Sequence, residues 1–380
     1  MSATLEVALI SGGMYDRLYR RISEFERSTG VPVNIGFRGA HPELNAHLAS
    51  QDPVRYHLVS THTKYAPSQL RFLAPLENFD TSDFFPRVLE LASIGGALYG
   101  IPRNVDLRLL HYRTDLLAAP PATWDSLAEE ARRIAKPPER YGFVFTGMES
   151  GLFGTFFELV ECGGGHLFPP SLVPDLNNAG GRWALGVLRE LCESRSVPAE
   201  VPHWHYDEVH QCFRSGNAAM VCDWPGYYGS YRESSSAVRD RFRVARMPAG
   251  PWGRVCCYSG SHTFALTSLG ANLPEARALL DFLTAPEQQL TEAEQGSVAV
   301  RQSVMARQER SAQGDDAQRL ALLRESIAND LIIPPKLAYY PRIEEILWRT
   351  VRSAMTGEIG IPEALEQMEM KIAECVANAA

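Results

Sequence analysis

The beginning of the chain alternates between the periodicities of a strand and of a helix, and this alternation restricts the fold more than any other feature. Leu5–Ile10 is an apolar run interrupted once, which is typical of a buried strand. Apolar side chains then recur at the spacing of one helical face in residues 15–25, and residues 31–37 alternate apolar and polar. With a further short strand expected at residues 56–59, this part of the chain predicts a parallel sheet covered by helices, the α/β class.

The length and the charge of the chain limit its organisation and its partners. It has 380 residues, 45% hydrophobic and 22% charged, with a net charge of −8. Because a single core stops growing at about 250–300 residues, two domains are expected. Binding of nucleic acid requires a basic face that neutralises phosphates, and the chain has no basic run that would form one, so no nucleic-acid partner is expected.

Several short segments occur in a characteristic order along most of the chain. They are residues 96–102 (GALYGIP) followed by Tyr112 and Asp115, 121–127 (PATWDSL), 216–220 (GNAAM), 276–283 before 286–289, and 355–365. In this order they resemble the family 1 extracellular solute-binding proteins of bacterial ABC importers, the maltose-binding-protein-like group of carbohydrate type. The resemblance implies a two-lobed periplasmic-binding-protein fold of type II, with a ligand cleft between lobes that are joined by three crossings.

The resemblance also implies the bounds of the two discontinuous lobes. The N-terminal lobe is expected at residues 1–110 and 260–306, and the C-terminal lobe at 111–259 and 307–380. The three crossings between them are expected near residues 107–110, 259–261 and 304–308.

The N-terminus bears on where the protein works. It lacks the basic and apolar regions of a signal peptide, and no apolar run approaches the roughly 20 residues that span a bilayer. Either an export signal has been removed and Met1 stands in its place, or the protein works in the cytosol. Strand-like residues begin at Leu5, as they do in mature binding proteins, so a periplasmic or extracellular location is expected. Seven scattered cysteines argue the other way, because an odd number is unusual in an oxidising compartment.

The expected ligand contacts of the first lobe follow from the position of its strands. Ligands of open α/β sheets bind outside the carboxyl ends of strands. The loops selected by this rule, together with the segment before the first crossing, contain Gly13, Met14, Thr61, His62, Lys64, Arg103, Asn104 and Asp106. Lys64 stands where sugar-binding relatives carry a carboxylate, which favours an acceptor-rich or anionic ligand. Asp106 lies near a carboxylate that the family uses on sugar hydroxyls.

The second lobe contributes an aromatic loop. Asp223, Trp224 and Tyr227 lie together after a predicted strand. A sugar needs flat aromatic faces for its C–H surface and planar polar groups for its hydroxyls, and this loop supplies both. The remaining expected ligand contacts are Glu149, Phe153, Tyr258, Ser259, His262 and Tyr340.

One rival function is enzymatic. Cys222 lies beside the aromatic loop, and Cys256 and Cys257 approach the second crossing, so a thiolate nucleophile with His262 or Glu149 as its base is an alternative. No spacing of residues requires this chemistry. A cytosolic ligand sensor that uses the same fold is a further alternative.

Metal and cofactor sites find little support in the sequence. Residues 203–210 contain three histidines and two carboxylates, but no second cluster of defined spacing accompanies them. No phosphate-binding glycine motif occurs, and neither a metal nor a cofactor is expected.

The sequence therefore predicts a monomeric binding protein, not an enzyme, that closes over its ligand by hinge motion and delivers it to a membrane permease. The expected ligand is a carbohydrate or glycoside that can carry an anionic group. A non-sugar anion or polyol bound by His62, Lys64 and Arg103 is the alternative ligand.

Overall fold

The computed structural model describes residues 4–12, 15–169 and 175–378, which form two compact units. Unit 1 comprises the described residues within Met1–Asp106, Ser259–Ala328 and Lys336–Ala338. Unit 2 comprises those within Leu107–Tyr258, Asn329–Pro335 and Tyr339–Ala380. Each unit combines helices with a sheet, which confirms the predicted α/β class.

The described residues form short strands and mostly longer helices. In chain order the strands are β1 (Leu5–Ile10), β2 (Val33–Gly39), β3 (Leu58–His62), β4 (Ser93–Ile94), β5 (Ala97–Leu98), β6 (Ile101–Pro102), β7 (Leu109–Arg113), β8 (Tyr141–Val144), β9 (Ala218–Asp223), β10 (Phe242–Ala245), β11 (Cys257–Tyr258), β12 (His262–Leu266) and β13 (Leu331–Ile332). The α-helices are α1 (Asp16–Arg20), α2 (Ile22–Thr29), α3 (His41–Ala49), α4 (Ala66–Gln69), α5 (Pro86–Ala92), α6 (Trp124–Ile134), α7 (Glu149–Cys162), α8 (Ala179–Glu193), α9 (Tyr206–Arg214), α10 (Tyr228–Tyr231), α11 (Pro274–Leu283), α12 (Pro286–Ala293), α13 (Gln302–Ser311), α14 (Gly314–Asn329), α15 (Tyr340–Met355) and α16 (Ile361–Ala377).

Unit 1 is built on a five-stranded sheet with the order β2-β1-β3-β12-β6. Strand β1 pairs in parallel with β2 and β3, as the alternation of strand and helix patterns predicts. Strand β12 then inserts antiparallel between β3 and β6, although it comes from much later in the chain. Helix α3 packs on β1 and β2, and α11 packs on β12. The carboxyl ends of β1, β2, β3 and β6 and the amino end of β12 therefore lie at one edge of this sheet.

Unit 2 is built on a four-stranded sheet with the order β10-β7-β9-β8. Strand β7 is antiparallel to β10 and β9, whereas β8 and β9 are parallel. Helix α7 is buried along almost its whole length and packs against α8 and α15. A helix that is apolar on most sides is suited to this interior position.

The predicted elements and the structure differ at their ends. Strand β1 has the predicted bounds, but the expected helix at residues 15–25 is two helices that meet at Arg21. None of the helices that the structure describes combines the length and the apolar character that a membrane span requires.

The third passage of the chain between the units lies later than the sequence suggests. It occurs after Ala328, not near residues 304–308. Helices α13 and α14 stay with unit 1 because their side chains contact it. Ser303 Oγ donates to Asp83 Oδ2 (2.6 Å), and the Arg324 guanidinium lies 5.8 Å from the ring centre of Phe85. These long-range contacts leave no local pattern in the sequence.

Candidate functional site

Three histidines from distant parts of the chain meet at the edge of the unit 1 sheet. His62 ends β3 and His262 begins β12, and the two residues are direct partners across this antiparallel pair. Since direct partners project to the same face of a sheet, the two rings lie side by side, with centroids 4.9 Å apart. His41 opens α3 just after β2, and its ring lies 5.1 Å from each of the other two.

A carboxylate completes this edge, which we call the histidine cluster (His41, His62, His262 and Asp106). Asp106 follows β6, and its Oδ2 lies 3.4 Å from His62 Nε2. Asn104 fixes the arrangement: its Nδ2 donates to Asp106 Oδ1 (2.7 Å), and its Oδ1 accepts from the amide of His262 (2.8 Å). The cluster therefore combines imidazole and carboxylate groups whose positions are set by the sheet and by one buried amide.

Burial controls the charge of the histidine cluster. His262 is 8% exposed, and the side chains of His62 and Asp106 are 13% and 24% exposed. Loss of water lowers the pKa of His62 to about 3 and places the pKa of His41 and His262 well below the usual value. It raises the pKa of the Asp106 carboxyl. The three imidazoles are therefore neutral at neutral pH, so each ring has one nitrogen that donates and one that accepts.

Two predicted contacts of unit 1 are engaged inside the protein. Thr61 lies one residue before His62, so its side chain projects to the other face of β3, where its hydroxyl donates to Gln69. Arg103 is 1% exposed and binds the carboxylate of Glu292 and the hydroxyl of Tyr19. These side chains lie in the interior of unit 1.

Lys64 lies next to the histidine cluster. Its backbone amide donates to His62 Nδ1 (3.0 Å), and its ammonium lies 5.0 Å from the ring centre of Tyr65. Tyr65 in turn contacts the edge of His41. Gly13 and Met14, the other predicted contacts of this unit, lie outside the described residues.

The aromatic loop of unit 2 surrounds a buried carboxylate. Asp223 ends β9 and is 3% exposed; its Oδ1 accepts from the amide of Trp224 (2.8 Å), and its Oδ2 accepts from the hydroxyl of Tyr231. His210 Nδ1 lies 3.8 Å from Asp223 Oδ2, and its ring stacks on Tyr227 at 4.2 Å. The rings of Trp224 and Tyr227 are partly exposed, whereas Asp223 is buried.

Glu149 lies at a strained position on the surface of unit 2. It begins α7 with φ of 49°, a left-handed conformation that a non-glycine residue rarely adopts. Its carboxylate is 56% exposed and contacts His205 Nε2 at 3.0 Å. Strain of this kind accumulates at functional sites, so Glu149 stays a candidate contact.

Three other predicted contacts form part of the core of unit 2. Phe153 packs edge-on against Tyr258 and Tyr340, with centroids 5.6 Å and 5.9 Å away, and the two tyrosine hydroxyls are 3.3 Å apart. All three side chains are at most 6% exposed, so they join α7, β11 and α15. Ser259, the first residue of the second segment of unit 1, is also buried.

Sequence reasoning missed two residues of these sites. His41 follows β2, so the strand-end rule that selected His62 also selects this position. His210 reaches Asp223 from α9, and no local pattern marks that contact.

The histidines of residues 203–210 are not brought together around one point in the described structure. His205 contacts Glu149, whereas His210 stacks on Tyr227. Among the described residues, the one group whose ligand atoms suit a metal ion is His62, Asp106 and His262, in which these atoms lie within 4.8 Å of one another.

The thiols that the enzymatic alternative requires are buried. Cys222 is 5% exposed and Cys256 and Cys257 are 1% exposed. Burial raises the pKa of Cys222 and of Cys257, which opposes formation of a thiolate. A nucleophilic cysteine needs the opposite shift.

Comparison with known proteins points to one family. The family model described as "Bacterial extracellular solute-binding protein" matches residues 20–318. A "Probable ABC transporter-binding protein" of Deinococcus radiodurans is 32% identical over 225 residues, which are 56% of this chain and 53% of that protein. The chain thus spans about half the length of the curated relatives it matches.

Solved structures resemble the chain over nearly all of its length. Maltose-bound MalE3 of T. maritima superposes with a TM-score of 0.86 at 21% identity, covering 98% of this chain and 100% of that one. An ABC transporter solute-binding protein from Agrobacterium radiobacter K84, in complex with ribitol, superposes with a TM-score of 0.84 at 20% identity, covering 98% of each chain. At this identity the likeness shows the fold, which is the two-lobed type.

Proposed function

Because this chain belongs to the bacterial extracellular solute-binding proteins, we propose that it captures a carbohydrate or polyol and delivers it to an ABC permease. Members of this family act as binding proteins, outside the cytoplasmic membrane. We propose the same location for this chain and expect the solute to leave it chemically unchanged.

The observation that carries the proposal is the histidine cluster at the edge of the unit 1 sheet. Its imidazoles and its carboxylate offer both donors and acceptors within a few ångströms of one another. Vicinal hydroxyls need this mixture, because each hydroxyl donates one hydrogen bond and accepts others. The position agrees with the rule that ligands of such sheets bind beyond the carboxyl ends of the strands.

The same edge favours a neutral solute over an anion. The sequence analysis names Arg103 as a cation that could bind an anionic group of the solute, but Arg103 is buried and paired with Glu292. The Asp106 carboxylate lies within the histidine cluster and would repel an anionic solute. The anionic option therefore depends on Lys64 alone among the predicted contacts.

The aromatic loop of unit 2 gives the proposal a second support. Trp224 and Tyr227 present partly exposed rings, which suit the C–H faces of a sugar. The two similar structures reported above hold a sugar and a sugar alcohol, maltose and ribitol. That one solute contacts both units stays a prediction, and variants in each unit test it.

A thermal-shift screen of the purified protein against mono- and oligosaccharides, polyols, uronic acids and amino acids tests the proposal. A solute that binds the folded state alone raises the melting temperature by mass action, so micromolar binding is visible at millimolar solute. We expect a neutral sugar or polyol to stabilise the protein, to bind in calorimetry and to be recovered unchanged. Stabilisation by amino acids alone would overturn the ligand class, and consumption of the solute would indicate an enzyme.

A further inference from the structure

We propose that His62, Asp106 and His262 form a binding site for a divalent transition-metal ion in unit 1. This site uses three side chains of the histidine cluster proposed above to contact the solute, but it does not depend on the class of solute, and its test uses metal alone.

The sheet brings the three ligand atoms together. His62 and His262 are paired across β3 and β12, and Asp106 is held beside them by a backbone bridge to Gly260, whose carbonyl accepts from the Asp106 amide (2.9 Å). In a tetrahedral zinc site with bonds of about 2.0–2.2 Å, ligand atoms lie about 3.4 Å apart. His62 Nε2 and Asp106 Oδ2 already have this separation, 3.4 Å, and all three ligand atoms lie within 4.8 Å.

The cluster also contains buried nitrogen atoms that the described residues leave without a hydrogen-bond partner. They are Nδ1 of His262, a residue that is 8% exposed, and Nε2 of His41 in the adjacent ring. A buried polar atom without a partner costs about 1–3 kcal/mol, so such atoms call for an explanation. His262 belongs to the group that can hold an ion, so metal ligation accounts for its unpartnered nitrogen, whereas His41 packs against that group and is not one of the three ligands.

A second layer of contacts holds the ligands in place. The Asn104 side chain donates to Asp106 Oδ1 and accepts from the backbone amide of His262. The backbone carbonyl of Asn104 accepts from Ser261 Oγ (2.7 Å). Metal sites depend on such outer contacts, because they fix the ligand groups before the ion arrives. The Asn104 side chain is 3% exposed, so solvent does not compete for it.

Metal binding requires one local change. The Lys64 amide donates to His62 Nδ1, so the proton of the neutral ring lies on Nε2 and faces Asp106. An ion that takes Nε2 displaces this proton, and His62 must then give up its bond to Lys64 as Nδ1 becomes the protonated nitrogen. Two imidazoles and one carboxylate with an open coordination position suit zinc, cobalt or iron(II), and not magnesium or calcium.

Titration calorimetry of the untagged, metal-free protein with zinc chloride, without any solute, tests the site. We expect one ion per chain, and visible absorption bands of low-symmetry cobalt when Co²⁺ is used instead. Asp106→Asn and His262→Gln should each weaken zinc binding by about tenfold or more, and Asn104→Ser by about 10–100-fold. Melting curves of each variant show that it is folded.

His205→Ala, which removes a histidine of residues 203–210, is the matched control and should bind zinc as the unchanged protein does. Failure of zinc to bind, or binding that all the cluster variants retain, would overturn the site. Loss of binding in His205→Ala alone would place the ion in unit 2 and would overturn it equally. The solute screen is unaffected by any of these results, so the two proposals fail separately.

Discussion

Arg103 and Glu292 form an ion pair in which both side chains are buried, 1% and 3% exposed, with Arg103 Nε 3.0 Å from Glu292 Oε1. The guanidinium also lies 4.4 Å from the ring centre of Phe264 and 4.9 Å from that of Tyr15. The pair therefore connects α12 to the segment that carries Asn104 and Asp106. The sequence analysis predicts Arg103 as a ligand contact, whereas the structure shows it supporting the edge of the unit 1 sheet from inside the unit.

Glu292→Gln should lower the free energy of unfolding by about 3–5 kcal/mol, because it leaves the Arg103 charge buried without its counter-charge. Chemical denaturation measures this change. Arg132→Ala is the matched control, since Arg132 and Glu190 form a pair with side chains 56% and 49% exposed. Exposed pairs contribute about 0–1 kcal/mol. Equal effects of the two substitutions would contradict the buried role of Arg103.

Asp106→Asn should weaken binding of the sugar or polyol found in the screen by about 10–100-fold. A carboxylate accepts charge-assisted hydrogen bonds from hydroxyls, and each of these contributes about 1.5–3 kcal/mol. Calorimetry with that solute measures the loss. Asp240→Asn, which alters an exposed aspartate of unit 2, should leave the affinity unchanged. Unaltered affinity in Asp106→Asn would remove the histidine cluster from the solute site.

Trp224→Ala should weaken solute binding by about tenfold or more, because the solute loses its stacking contact with the ring. The effect on stability should be small, since the ring is partly exposed. Trp252→Ala is the matched control, because Trp252 is 78% exposed and lies in another loop of unit 2. If Trp224→Ala binds as well as the control, the aromatic loop of unit 2 does not contact the solute. If it and Asp106→Asn both bind more weakly, the solute contacts both units.

Alkylation of Cys192 by iodoacetamide should be slow and should accelerate about tenfold per pH unit between pH 8 and pH 10. The thiolate is the reactive form, and burial, helped by the charge of Glu193, raises the pKa of Cys192 to about 11. At pH 8 an ordinary thiol, with a pKa of about 9, has about a hundredfold larger thiolate fraction than Cys192 in the native protein. Cys192 should therefore react about a hundredfold more slowly in the native protein than in the unfolded chain. Mass spectrometry of timed samples measures both rates.

Glu193→Gln should speed the labelling of Cys192 moderately, because it removes the neighbouring negative charge. Rapid labelling of Cys222 or Cys257 at neutral pH would instead reveal an activated thiol and would revive the enzymatic alternative.

Local patterns in the sequence predict the elements of the fold well. The run Leu5–Ile10 gives β1 its bounds, because burial on both faces of a parallel strand leaves an apolar signature within the strand itself. The order of the short segments led to the family, which the match over residues 20–318 confirms. The helix expected at residues 15–25 is two helices that meet at Arg21. The sequence does not predict this break, because no local signal there separates one helix from two.

The candidate site was predicted only in part, because its geometry depends on residues far apart in the chain. The strand-end rule finds His62 and Asp106, and applied to β2 it would also find His41. It does not distinguish Thr61 from His62, since one residue of register decides which face of β3 a side chain joins. Nor does it show that Arg103 is bound by Glu292, 189 residues later.

Strand β12 has a consequence for how the protein is made. It lies inside the unit 1 sheet, and just before it the Ser261 amide donates to Oγ1 of Thr63, the residue that follows β3, 198 residues earlier. At about 5–20 residues per second, a ribosome needs about 10–40 s to travel that distance. The edge that carries His62 is therefore incomplete on the nascent chain until the first segment of unit 2 has emerged. A message truncated within that segment would yield a polypeptide without this edge, and its β3 strand would be exposed to chaperones and proteases.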